Sequence, residues 1–183
     1  MIRSILLLAL LTISFSAFAQ KAHSVFLDNR VLDHFQTQME LMVNINQDVQ
    51  AKNGEDNRSE LNKLKKAAAK VSERGLSIYH QMNSYLDKET IDKLEAKFLH
   101  DGVGTNALVH RNKQIRDANP QLVEIFMSYE DLNLFLDNVA NIQKISDEIQ
   151  FLKERPNSAN TNLVADISSS AKTLTSIITQ TSN

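Results

Sequence analysis

Eight residues between 61 and 85 recur at steps of three or four: Leu61, Leu64, Ala68, Val71, Gly75, Ile78, Met82 and Tyr85. That spacing draws one unbroken stripe along a helix of roughly seven turns, at 3.6 residues per turn. A strand cannot use it, because a strand sorts its side chains with a period of two. A stripe this long has to be covered by other helices. The alternating steps are those of a heptad seam, with small residues at Ala68 and Gly75. A glycine inside a helix costs about 1 kcal/mol relative to alanine. Its presence on the seam predicts either a close helix neighbour or a bend.

The same spacing recurs elsewhere. Leu32, Phe35, Met39, Met42, Asn46 and Val49 form a stripe that Leu27, Val31, Leu41 and Ile45 widen, which predicts a helix from Ser24 to Lys52. Asn53 to Asn57 is a turn by composition, and Asn57 or Ser59 is placed to cap the seam helix. Asp87 caps a short helix carrying Ile91, Leu94 and Phe98, which His100-Asp101-Gly102 ends. Thr105 caps another short helix that runs to Asp117. Asn119-Pro120 reads as a helix start. From Leu122 to Leu152 the apolar spacing stays helical to Glu154, which favours one long helix. Ser128-x-x-Asp131 resembles a capping box and offers the alternative of two elements. After Pro156, Asn160 or Thr161 caps a last helix through Leu163, Ile167, Ala171, Leu174 and Ile178, with an outer face dense in serine and threonine.

Only four glycines, two prolines and no tryptophan occur in the chain, too few turn residues for a β-sandwich or barrel. The fold class expected is therefore all-α. The expected architecture is an antiparallel up-down bundle of four long helices, with two short ones near 87–119. No self-similarity at a fixed period points to a solenoid.

The first nineteen residues fix a compartment. Met1-Ile2-Arg3 is a short positive stretch, Ile5 to Phe15 is apolar apart from small hydroxyl residues, and Ala17-Phe18-Ala19 supplies small residues at −3 and −1. That order predicts a signal peptide over 1–19, cleaved after Ala19, and one domain over 20–183. The apolar run is about half the 20 residues that a bilayer span needs. No later segment is apolar enough to span. The chain has no cysteine, which excludes a lipidated N-terminal cysteine, disulfides, thiol chemistry and Cys-ligated zinc. Export without disulfides fits a bacterial periplasm.

Twenty Lys and Arg face twenty-two Asp and Glu, a net charge of −2. Removing the leader takes away Arg3 and no acid, so the mature chain stands one unit lower. That balance argues against nucleic acid as a partner. Lys63-Leu64-Lys65-Lys66 is the one basic cluster and reads as a solvated helix face.

No residue set announces catalysis. His23, His34, His80, His100 and His110 include no Glu-x-x-His and no histidine pair one helical turn apart, so no metal site is expected. His23 would stand fourth in the mature chain, which spoils an N-terminal copper or nickel geometry. Met39, Met42 and Met82 lie on apolar stripes and read as core filler, leaving no haem ligand pair and no expected cofactor. Gly102-Val103-Gly104 lacks a preceding strand, and no Gly-x-Ser-x-Gly occurs. Glu130-Asp131 and Asp147-Glu148 are neighbours on a helix, so their side chains diverge. Asn46 is the one interior polar candidate. Such an Asn usually fixes register.

The expectation is a non-enzymatic, exported bundle that works by binding a protein partner in the periplasm or envelope. Residues 100–119 and the Ser/Thr-rich last helix are the candidate surfaces. The alternative is a carrier or sensor that holds a small ligand between helices, with Ala68 and Gly75 making room.

Overall fold

The computed structural model describes residues 22–52, 57–86, 89, 93, 107–152 and 161–179. The leader at 1–19 and the turn at 53–56 lie outside the described residues, as do His100 to Thr105, Pro156 and Asn160. Of the predicted helix at 87–98 only Glu89 and Lys93 are described. Both are helical, and Lys93 Nζ lies 2.6 Å from Glu89 Oε1.

The chain is mostly helical, with one small sheet. In order it forms strand β1 (His23–Asp28), helix α1 (Asn29–Ala51), helix α2 (Arg58–Tyr85), helix α3 (Ala107–Ala118), strand β2 (Leu122–Met127), helix α4 (Tyr129–Leu152) and helix α5 (Thr161–Ile178). The four long helices close a ring. α1 packs on α2, α2 on α4, α4 on α5, and α5 back on α1.

The predicted stripes form the core. Leu32, Phe35, Met39, Met42, Asn46 and Val49 are the buried residues of α1. Seven of the eight seam residues of α2 are buried, and Tyr85 is half-buried. Leu132, Phe135, Val139, Ile142, Ile145 and Ile149 come from α4, and Ile167, Ala171, Leu174, Ile177 and Ile178 from α5. The rings of Phe35 and Phe135 meet at 6.1 Å. Leu41 is 47% exposed and does not widen the α1 stripe as expected.

Gly75 marks a close helix crossing. A methyl placed on it would lie 2.6 Å from Cγ2 and 3.3 Å from Cγ1 of Val139, and 3.5 Å from Cε2 of Phe35. Close approach, rather than a bend, accounts for glycine on the seam. Its space is filled by Val139.

The sheet corrects three expectations. Ser24 does not begin a helix. Residues 23–28 form β1, paired antiparallel with β2, with Val25 opposite Ile125 and Leu27 opposite Val123. The pair of Leu27 and Val31 suited a helical stripe, but Val25 and Leu27 also alternate. Their partner strand lies about a hundred residues away, where local periodicity has no reach. Asp28 then caps α1, its carboxylate accepting from Arg30 N at 2.8 Å.

Nor does Asn119-Pro120 start a helix. Asn119 ends α3, its side-chain amide donating to Ile115 O at 3.0 Å. The next residues turn tightly, with Leu122 N donating to Asn119 O at 3.0 Å. Proline suits the second position of such a turn as well as it suits a first helical turn.

The run after Leu122 is therefore two elements. Ser128 and Asp131 form a reciprocal capping box. Asp131 N donates to Ser128 Oγ, and Ser128 N donates to Asp131 Oδ2, each at 3.0 Å. By contrast Asn57, at the cap position of α2, makes no side-chain cap bond.

The four central residues of β1 are buried, and the strand touches α1 and α2. Its Phe26 ring meets Tyr85, at the C-terminal end of α2, edge-on at 5.6 Å. α3 is tied to the sheet by an ion pair between Arg116 and Glu124.

Candidate binding grooves on helix α1

α1 turns its apolar stripe inward, and a groove runs along each of its flanks. Both grooves follow from helix geometry. Two cylinders in contact leave a furrow on each side of the contact line, and the residues beside the buried stripe line it.

The first groove, between α1 and α5, encloses about 550 Å³. Met39, Val43 and Ala171 form its apolar floor. Glu40 from α1 and Lys172 from α5 are among the polar side chains that rim it. Ser168 also lines this groove and accepts from the Nδ2 of Asn46 at 3.4 Å. Asn46 is completely buried, so it joins α1 to α5 from inside. The bond is long by the standards of amide donors.

Two threonines on α5, Thr173 and Thr175, turn their hydroxyl protons back onto the helix. Thr173 Oγ1 donates to Ser169 O at 3.1 Å, and Thr175 Oγ1 donates to Ala171 O at 2.9 Å. Such back-bonding satisfies the hydroxyls locally. It lets an uncharged surface face water, with the remaining lone pairs available to an incoming donor.

The second groove, between α1 and α2, encloses about 500 Å³ and is lined by His34, Gln38, Lys70, Glu73, Arg74 and Ser77. Every lining side chain is polar. No bulky apolar group forms a floor.

The remaining candidates are dispersed. The His23 ring meets Tyr129 edge-on at 6.0 Å, where α4 begins. His80 meets Tyr79 at 5.4 Å on α2, and His110 is exposed on α3. Among the described residues no three His, Asp or Glu side chains converge as metal ligands would. Met39, Met42 and Met82 are buried in the common core. Asp131 is committed to its cap. Asp147 accepts from Gln143 at 3.2 Å, and Glu148 lies 3.9 Å from Lys144. Lys63 and Lys66 are exposed, and Lys65 is half-buried.

Two charged groups have shifted acidities. The Glu60 carboxyl is held below its ordinary value by the hydrogen bond from Lys52 Nζ, at 2.9 Å. Burial lowers the Arg111 guanidinium, and the nearby Tyr85 opposes that shift. Neither group lies in a groove.

The α1–α2 groove was missed in the sequence because its residues come from stripes adjacent to the core stripe. Only the angle at which the two helices meet brings His34 opposite Arg74. The one available signal was Lys70 and Arg74 at i and i+4, continuing the basic cluster at 63–66.

No described helix is long and apolar enough to cross a membrane. The class defined by fold and grooves is a ring of four long helices with a two-stranded sheet at its side. Comparison with known proteins finds no matching family model, no matching curated sequence and no matching solved structure.

Proposed function

We propose that this chain is an exported, non-enzymatic, up-down helical bundle that works by binding a protein partner. The α1–α5 groove is the contact surface in this reading. The observation that carries it is the groove's make-up, an apolar floor of Met39, Val43 and Ala171 inside a polar rim. Protein interfaces share that anatomy, with apolar area at the centre and polar groups around it.

The up-down arrangement is supported by contacts that run in opposite senses along neighbouring helices. Lys52 at the end of α1 pairs with Glu60 at the start of α2, whereas Phe35 faces Gly75 further along. Between α2 and α4, Lys65 O accepts from Ser146 Oγ, and Gly75 faces the earlier Val139. Export is supported by the leader pattern, with β1 beginning four residues after Ala19.

The test uses the protein in its own envelope extract. A partner is expected to co-purify with the wild-type chain and to be lost from Lys172→Glu/Thr175→Arg, with helical circular dichroism unchanged. Recovery of a lone monomer in both cases overturns partner binding. Mass spectrometry of the same material reads the export step. The mature chain is expected to begin at Gln20, and a product retaining Met1 refutes cleavage.

A further inference from the structure

The geometry points to the α1–α2 groove as a binding site for a phosphate monoester, held by Lys70 and Arg74 from one wall and by His34 and Gln38 from the other. Lys70 and Arg74 stand one turn apart on α2, and His34 and Gln38 one turn apart on α1. Donors thus approach one space from two sides. A tetrahedral oxyanion can use such a set, because its oxygens point in different directions. A planar carboxylate is best served by a single fork.

Lys70 and Arg74 repel each other at this spacing. None of the six lining side chains makes a hydrogen bond or ion pair among the described residues, and the one acid beside the pair, Glu73, is bonded to neither cation. His34, Lys70, Glu73, Arg74 and Ser77 are exposed and Gln38 is half-buried, leaving the donors open to a ligand.

The positive character extends beyond the groove. Lys63 and Lys66 precede Lys70 and Arg74 at helical steps, and all four are exposed on α2. In a chain of net negative charge this stripe is a local reversal, and it would draw anions toward the groove. Glu73 is the one acid in the lining and opposes the bound charge. It also gives the site a preference. Its carboxylate can accept from a hydroxyl on the organic part of a monoester, a donor that chloride does not carry. The groove's volume of about 500 Å³ leaves room for that organic part.

A phospholipid headgroup such as phosphatidylglycerol also offers a phosphate and hydroxyls, but its phosphate is a diester with a single charge, so it is the competing ligand rather than a source of the monoester. The experiment separates the two on the folded full-length mature protein. Glycerol phosphate is titrated against the ¹⁵N-labelled protein at constant ionic strength, with chloride as control. Saturable shifts at His34 and Arg74 are expected, with an affinity near 1 mM or tighter, about 4 kcal/mol. Lys70→Gln and Arg74→Gln should each weaken binding about fivefold, since each removes one exposed charge-assisted contact. The double variant should abolish it. Glu73→Gln should tighten the binding of inorganic phosphate two- to threefold by removing an opposing charge, a gain that misfolding cannot imitate.

In parallel, sedimentation with phosphatidylglycerol vesicles, against phosphatidylcholine, reads the competing lipid. Retention lost in Lys70→Gln/Arg74→Gln, without saturable binding of glycerol phosphate, overturns the monoester in favour of a lipid phosphodiester. The proposal is overturned if neither probe binds, or if the double variant binds both as wild type does.

Discussion

Gly75→Ala is the sharpest probe of how the bundle is assembled. On propensity alone it should stabilise α2 by about 1 kcal/mol. The structure opposes that gain. The added methyl would lie 2.6 Å from Val139 Cγ2, about an ångström inside an ordinary carbon–carbon contact. Val139 cannot step aside cheaply. Its other methyl is already 3.3 Å from the same point, and a β-branched residue in a helix is confined to one main rotamer. Phe35 closes the space from α1 at 3.5 Å. Relief has to come from parting α2 and α4. Overpacking of this kind costs about 1–3 kcal/mol. Against a gain of about 1 kcal/mol, Gly75→Ala is expected to lower stability by up to about 2 kcal/mol. At roughly 2–4 °C per kcal/mol for a chain of this size, Tm falls by up to about 8 °C.

Val139→Ala removes both offending methyls. In that background Gly75→Ala should instead raise stability by about 1 kcal/mol, because only the propensity remains. The two substitutions are then coupled by about 1–3 kcal/mol, measured as a double-mutant cycle from urea denaturation followed by circular dichroism. Equal m-values across the four proteins would license the comparison. If Gly75→Ala stabilises both backgrounds equally, the close crossing of α2 and α4 does not exist and the reasoning fails.

Asn46→Leu removes a fully buried amide whose bond to Ser168 is long, and Ser168 can turn to water instead. Tm is expected to rise by a few degrees, read by calorimetry, and a fall would assign the amide a stabilising role. Ser128→Ala breaks the capping box of α4 and should cost about 1 kcal/mol. Amide exchange should be faster in the first turn of α4 and unchanged in its middle, and uniform loss of protection would contradict this. The Glu60 carboxyl is lowered in the folded protein, so its pair with Lys52 stabilises above the ordinary Glu value of 4.5 and stops doing so as pH falls through the lower folded value. The stability gap between wild type and Lys52→Met should be present at pH 7 and close in acid. A gap that persists at pH 3 would give Lys52 a role other than pairing Glu60.

The four core stripes were legible in the sequence because burial along a helix leaves a periodic trace in the chain itself. The six buried residues of α1 and the seam of α2 are the residues that the spacing selected. The capping box at Ser128 was also visible, as two residue types three apart. The sheet was not. Residues 122–127 read equally well with a period of two or of 3.6, since Leu122, Val123, Ile125, Phe126 and Met127 are all apolar. Only pairing with 23–28 resolves that ambiguity. The exposure of Leu41 has the same origin, because a stripe's width depends on how many neighbours a helix has.

The amino-acid order alone therefore settled the central core stripes of the long helices and that the chain is mostly helical, because those properties are local and repeat every turn. The docking of β1 against β2, the fit of Gly75 to Val139 and the placing of His34 and Arg74 on one groove were decided by tertiary structure. Each joins residues far apart in the chain. Their energies depend on the angle and distance between whole elements, and no local pattern encodes those quantities.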